Sequence, residues 1–387
     1  APACLWMILC LVLCPALFAQ EAPPLKFEKG VTEKHVMIPM RDGVKLSAYL
    51  YIPQGKGPWP VLMEQRYAFL RSKGSRLSFA EMAGHDYVVC AVNYRGSQQS
   101  EGTWVGYRDL QWGEKQDGYD VVEWLAKQPW STGKIGTFGS SQGGYAQNYL
   151  AVTQPPHLVC QFMIDTGLSL YHEGYFIGGA AKPNRFKGMD AVCRVAAHNR
   201  ALMAEWFSHP DYDEYWQAED CTLHFDKMNV PCFTVGSWYD FMCVGSIQSY
   251  IGRQHKGGPN SRGHQKLYIG PWLHGRFNKV NKVGDMLYPE NANFDMMAEM
   301  IRWFDHYLKG KRNEIELDPN VRYYVMGAVG EPGAPGNVWR STNDWPVPVE
   351  ETPYYLQQDG KLSTSKPTSA DSFTQLIADP LNPEKIE

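Results

Sequence analysis

The sequence has no excess of basic charge, no Cys-x-x-Cys or Cys/His ligand spacing, no internal repeat and no low-complexity tract. Its formal net charge of −4 gives no reason to expect nucleic acid as a partner. Of nine cysteines, Cys4, Cys10 and Cys14 fall in the first apolar run, and Cys90, Cys160, Cys193, Cys221, Cys232 and Cys243 are scattered. With His198, His209 and His224 equally unpaired in spacing, no metal is expected. Cys90 and Cys232 lie in apolar, strand-like runs and read as buried free thiols. The sequence also lacks a membrane-spanning apolar run. Ala1 to Ala19 is shorter than the ~20 residues a span needs and leads into a polar, proline-containing linker. That is the pattern of a secretory signal cleaved after Ala19, although an initiator Met and a basic leading segment are missing. The expectation is a secreted or periplasmic protein with no stable membrane insertion once the signal is removed.

What is present is a large apolar fraction, 44% of 387 residues with 13% aromatic, enough for a sizeable core and more than one domain. The chain is organised around KIGTFGSSQGGYAQNYLAV, Lys134 to Val152. Ile135 to Phe138 read as a short strand, and Tyr145, Tyr149, Leu150 and Val152 follow at helical spacing. Between them, Gly139-Ser140-Ser141-Gln142-Gly143 matches G-x-S-x-G, in which a serine sits on a strained strand-to-helix turn. Ser140 competes as nucleophile, but the spacing to the two glycines favours Ser141. Gln142 would lend its N–H at the helix start, where the dipole favours a developing oxyanion.

Upstream, Val36 to Ile52 reads as two strands around Asp42-Gly43, a hairpin signal. A strand at Trp59 to Glu64 leads to Tyr67 and a polar loop from Lys73 to Arg76, and Tyr87 to Val92 is another strand, ending before Arg95. Gln116 to Gln128 reads as an amphipathic helix. Strands alternating with helices predict a mostly parallel sheet, with ligands gathering at the strands' carboxyl ends. Ser141, Tyr67 and Arg95 all follow strand ends, which makes one shared site plausible. From Leu168 to Asp226 the chain is rich in aromatics, His and acids, with a helix expected over Asp190 to Phe207; it reads as a cap. Its acids, Asp211, Asp213, Glu214, Glu219 and Asp220, read as a solvated or structural face. Strands resume at Cys232 to Val235 and Gln265 to Ile269, and Asn293 to Leu308 is a long helix. From Val321 the pattern turns to strands and proline-rich loops, too short for a complete sandwich of about 100 residues.

A serine needs a base in reach, itself oriented by a carboxylate, and in such sheets the partners arrive in the order Ser, acid, His. Gly236-Ser237-Trp238-Tyr239-Asp240 and Gly270-Pro271-Trp272-Leu273-His274-Gly275 each follow a strand, which makes Asp240 and His274 the candidates. The set GSSQGG, GSWYD and GPWLHG, with DGVKLSAYLY, NYRGSQQSEG and HPDYDEYW, resembles the cocaine-esterase-like (CocE/NonD) hydrolases. It is similar as well to the related X-Pro dipeptidyl-peptidases and α-amino acid ester hydrolases. The similarity runs from about Val36 to Pro380.

The resemblance implies an α/β-hydrolase fold with Ser141 as nucleophile, His274 as general base, Asp240 as its orienting acid, and Tyr67 and Gln142 N–H as oxyanion donors, without a cofactor. The implied domains are a signal (1–19), a linker (20–35), core (36–167 and 227–312), a helical cap (168–226) and an incomplete, jelly-roll-like β-domain (313–387). Departures from the family pattern are Asn93, often an Asp; Gln142, often aromatic; and most of the third domain. The expected function is a serine hydrolase acting on a small-molecule ester or amide, or a short peptide. The alternatives are an X-Pro dipeptidyl-peptidase and a catalytically silent binding module; the sequence leaves the oligomeric state open.

Overall fold

The computed structural model describes residues 24–182, 188–275, 281–358, 360–369, 373, 375 and 377–382. The expected signal, residues 1–19, lies outside the described residues. The predicted hairpin forms as β1 (Thr32–Pro39) and β2 (Lys45–Ile52), antiparallel around a turn in which Gly43 takes φ +86°. The sheet continues through β3 (Trp59–Arg66), β4 (Val88–Asn93), β5 (Ser131–Ser140), β6 (Leu158–Ile164), β7 (Cys232–Tyr239) and β8 (Gln265–Leu273). After a small hairpin of β9 (Lys282–Val283) and β10 (Met286–Leu287), β11 (Val321–Val325) and β12 (Val338–Thr342) complete it. The ten-stranded order is β1-β2-β4-β3-β5-β6-β7-β8-β11-β12. Every pairing from β4 across to β11 is parallel, and the outer pairings are antiparallel. The fold is an α/β-hydrolase-like one, as expected.

The strands are apolar on both faces because both are covered. Leu62, Val89 and Ala91 pack with Phe79 of α1 (Lys73–Ala83) and Trp303 and Phe304 of α7 (Met296–Lys309). Their neighbours Val61, Met63, Val88 and Cys90 point to the opposite face, against Val121, Val122 and Leu125 of α2 (Asp117–Ala126). Period-two alternation with both sets buried is the signature of a parallel sheet between helix layers. α3 (Gln142–Thr153) and α6 (Cys243–Lys256) complete the layers, and α4 (Ala196–Ser208) and the one-turn α5 (Glu214–Gln217) lie in the segment between β6 and β7.

Several local expectations change. Lys73 to Arg76 is the first turn of α1 rather than a loop: Ser72 Oγ caps the Ser75 N–H at 3.1 Å, a Ser N-cap the sequence already carried. The helix expected from Asp190 begins at Ala196, after a separate turn at Gly188–Ala191. β11 joins the parallel sheet beside β8, so the chain beyond residue 312 continues the hydrolase sheet before leaving it. Glu219 and Asp220 are not a solvated face. Each is 1% exposed, with Glu219 paired to Arg108 and Asp220 accepting from Tyr212 Oη at 2.6 Å. Cys90 and Cys232 are buried free thiols as read from the sequence.

Candidate active site

At the end of β5 the chain turns sharply into α3, and Ser141 occupies the turn at φ 55°, ψ −114°. A non-glycine residue held there is strained by about 1–3 kcal/mol and persists only where its surroundings over-determine it. The Ser141 N–H donates to the carbonyls of Ile164 (3.0 Å) and Asp165 (3.2 Å), and the Ser141 carbonyl accepts from Gly144 and Tyr145 N–H. Glycines make the close approach possible. Gly139 takes φ +146°, and a Cβ on Gly144 would lie 2.7 Å from Thr166 Cβ.

The two candidate serines face different spaces. Ser141 lines a cavity of about 160 Å³ with Tyr67, Tyr107, Tyr145, Tyr175 and Met242. Ser140 lines a separate one of about 320 Å³ with Glu64, Phe138, Met296 and Met300.

His274 and Asp240 follow adjacent strands, β8 and β7, and their loops meet. His274 Nδ1 lies 2.9 Å from Asp240 Oδ1, the Asp240 side chain is fully buried, and the Phe241 ring lies over the imidazole with centroids 5.0 Å apart. Such a pairing fixes the ring and its tautomer, with Nδ1–H donating to the carboxylate.

Tyr67 reaches the same cavity from the end of β3, its ring edge-on to Tyr94, Trp104 and Tyr107 at 5.5–6.1 Å. Two amide side chains grip its loop from opposite sides. Gln142 Oε1 accepts from the N–H groups of Tyr67 (2.9 Å) and Ala68 (3.0 Å), while Asn93 Nδ2 donates to the carbonyls of Arg66 (3.1 Å) and Ala68 (3.0 Å). The two departures singled out in the sequence thus act on one loop. An ionised Asp at position 93 would offer no donor to either carbonyl. The Gln142 backbone N–H heads α3, where helix N–H groups have no intrahelical acceptor.

Arg95 does not join this site. It is 4% exposed and bonds Asp117 through Nε (3.0 Å) and Nη2 (2.6 Å) and Asp42 through Nη1 (2.7 Å), tying its loop to α2 and to the β1–β2 turn.

Two buried acids outside the cavity lining were not singled out in the sequence. Glu173 is 9% exposed and its Oε2 accepts from Leu168 N–H (2.9 Å) and Ser169 N–H (2.8 Å); burial pushes its carboxyl up to about 7. Asp165, which follows β6, brings its carboxyl within 4.8 Å of Asp240 and His274. The available signal was its place directly after an apolar strand, the same placement that pointed to Asp240.

Residues 42–200 and 184–276 match the X-Pro dipeptidyl-peptidase (S15) family. The chain belongs to that family. Residues 313–382 match the C-terminal non-catalytic domain of X-Pro dipeptidyl-peptidases, in agreement with the reading of a β-rich C-terminal region. Among curated proteins, this S15 member is similar to the cocaine esterase of Rhodococcus sp. (strain MB1 Bresler). The two are 25% identical over 86% of this chain and 63% of the esterase, so the chain spans less than two thirds of that relative. Among solved structures, it resembles a CocE/NonD family hydrolase from Staphylococcus aureus, with TM-score 0.68 and 24% identity over 87% of this chain and 60% of that one. It also resembles an α-amino acid ester hydrolase, with TM-score 0.75 and 21% identity over 96% of this chain and 69% of that one. At these identities the two structures speak for the fold. The sequence-level resemblance to CocE/NonD and S15 hydrolases therefore stands.

Proposed function

We propose that this S15 member is a serine hydrolase that cleaves an ester or amide through an acyl-enzyme, with Ser141 as nucleophile, His274 as base and Asp240 as its orienting acid. The observation that carries the reading is the 2.9 Å His274–Asp240 pair, tied to the strained Ser141 turn through Asp165, which accepts from both Ser141 N–H and Gly275 N–H. In this reading His274 Nε2 takes the Ser141 hydroxyl proton as Oγ attacks the carbonyl carbon. The Tyr67 hydroxyl and the Gln142 N–H donate to the resulting oxyanion, and His274 then protonates the leaving alcohol or amine. A water, deprotonated by His274, releases the acid and restores Ser141. The export signal and the secreted or periplasmic location belong to the same proposal.

An ester or a simple amide is preferred over an Xaa-Pro peptide because, among the described residues, the side chains lining the Ser141 cavity include no carboxylate to hold a free α-amine. The peptidase reading is favoured by the family description itself. Comparing p-nitrophenyl butyrate with an Xaa-Pro p-nitroanilide separates the two.

The mechanism is tested by treating the protein with a fluorophosphonate and locating the adduct by fragment-ion mass spectrometry. The adduct is expected on Ser141; an adduct on Ser140, or none on folded protein, overturns the assignment. Tyr67→Phe is expected to lower kcat on the preferred substrate by about 10²–10³-fold with little change in KM, the usual effect of losing one oxyanion donor. An unchanged kcat would remove Tyr67 from the oxyanion site.

A further inference from the structure

Asp165 is placed where the loops of the proposed catalytic groups meet. It is fully buried and stands at φ 45°, a left-handed conformation that Asp tolerates but does not prefer. Its main chain explains the constraint. The Asp165 N–H donates to the Val235 carbonyl on β7 at 2.8 Å, and its carbonyl accepts from the Ser141 N–H at 3.2 Å. Its side chain reaches the third loop, where Oδ2 accepts from the Gly275 N–H, next to His274, at 2.8 Å. One residue therefore bonds β7, whose end carries Asp240, the turn carrying Ser141, and the loop carrying His274.

The remaining carboxyl oxygens pose a separate problem. Among the described residues, Asp165 Oδ1 and Asp240 Oδ2 are both buried and lack a hydrogen-bond partner of ordinary geometry, and the two carboxyl groups approach within 4.8 Å. Two buried carboxylates this close ionise together only at added cost, which favours a proton on one of them. The surroundings select which. Asp240 carries the hydrogen bond to His274, whose imidazolium needs a negative partner. Asp165 is faced by Asp240 and the Ser237 hydroxyl from β7, by His274 and Gly275 N–H from the β8 loop, and by Cys243 on α6. Burial first, and then the Asp240 charge, push its carboxyl up to about 7, against the Gly275 N–H, Ser237 and His274, which favour the ion.

We propose that Asp165 is a positioning residue of the hydrolytic site: its carboxyl carries the one proton of the Asp165–Asp240 pair and locks together the loops bearing Ser141, Asp240 and His274. The inference rests on the proposed catalytic roles of those three residues. Its chemical consequence is that a single negative charge, not two, stands behind the imidazole until Asp165 itself ionises toward the alkaline end of the working range. A second charge would hold His274 in its protonated form, in which it cannot act as a base.

The test uses the full chain, its Asp165→Asn and Asp165→Ala variants, and p-nitrophenyl butyrate from about pH 5 to about pH 9, a range that brackets imidazole titration. Asn keeps the shape and the neutral state, so Asp165→Asn is expected to retain kcat near the wild-type plateau. Its acid limb in kcat/KM should move to lower pH and follow a single titration, because the ionisation of Asp165 no longer adds charge beside His274. Asp165→Ala frees the Gly275 loop and is expected to lower kcat by about 10- to 100-fold at similar KM, the scale of a catalytic group displaced by about 1 Å. A merely structural role would leave the pH profile of the folded Asn variant unmoved.

The proposal is overturned if Asp165→Asn loses activity to the extent expected of Asp240→Asn, which would make Asp165 a required charge. It is equally overturned if Asp165→Ala is unimpaired or if the acid limb stays in place. Infrared difference spectra of wild type against Asp165→Asn at pH 6 give a readout independent of catalysis: a carboxylic-acid C=O band is expected from Asp165, and its absence overturns the proposal. Failure of the catalytic reading looks different, since wild type would then neither react with fluorophosphonate nor hydrolyse the ester while the infrared band remained.

Discussion

Ser141→Ala is expected to lower kcat for the preferred ester by about 10⁶-fold, the scale seen when the nucleophile of a serine hydrolase is removed. Ser140→Ala should leave the rate close to wild type, since Ser140 opens toward a different cavity. The asymmetry is the informative result. Two adjacent serines share one glycine-rich turn, and only their backbone geometry and the space each side chain meets distinguish them. The small change in volume at a half-buried turn should leave the thermal unfolding of both variants similar to wild type, so a rate difference reports chemistry. Equal losses in the two variants would show that the turn, rather than the Ser141 hydroxyl, is what hydrolysis requires.

Asp240→Asn is expected to cost about 10⁴-fold in kcat with little change in KM. The carboxylate accepts from His274 Nδ1–H and thereby leaves Nε2 as the acceptor for the serine proton. An amide at 240 can present its NH₂ to Nδ1 instead, which places the imidazole proton on Nε2. The base is then blocked although its geometry is kept. Asp240 is fully buried, so no water replaces the lost acceptor. Steady-state rates of the two variants, Asp240→Asn beside Asp165→Asn, assign the acids directly: the first should fall steeply and the second should not. The reverse order would transfer the orienting role to Asp165.

The proposed catalytic serine, acid and histidine were legible in the sequence because each sits in a local strand-and-turn signal. GSSQGG, GSWYD and GPWLHG each combine an apolar strand with a small-residue turn and one reactive side chain, and the fold places the ends of β5, β7 and β8 at one edge. Tyr67 was reached by resemblance, and the structure places it on the cavity that Ser141 lines. Arg95 shows where such reasoning fails. It follows a strand as Tyr67 does, yet carboxylates at positions 42 and 117 turn it into a buried tie, and no local pattern announces partners that distant.

By itself the sequence determined the strands from β1 to β8, the helices after β4 and β5, the hairpin at Asp42-Gly43, the Ser141 turn and the order of the catalytic candidates, but not α1 or α6. All of these depend on interactions within a few residues, such as alternation, helical spacing and glycine's freedom at positive φ. Tertiary structure decided which serine faces the Tyr67 cavity, how Asn93 and Gln142 clamp the Tyr67 loop, that β11 completes the central sheet, and that Asp165 joins the loops around His274. Those outcomes depend on hydrogen bonds, burial and charge between segments far apart in the chain. Their energies arise only when the strands have assembled and water has been excluded.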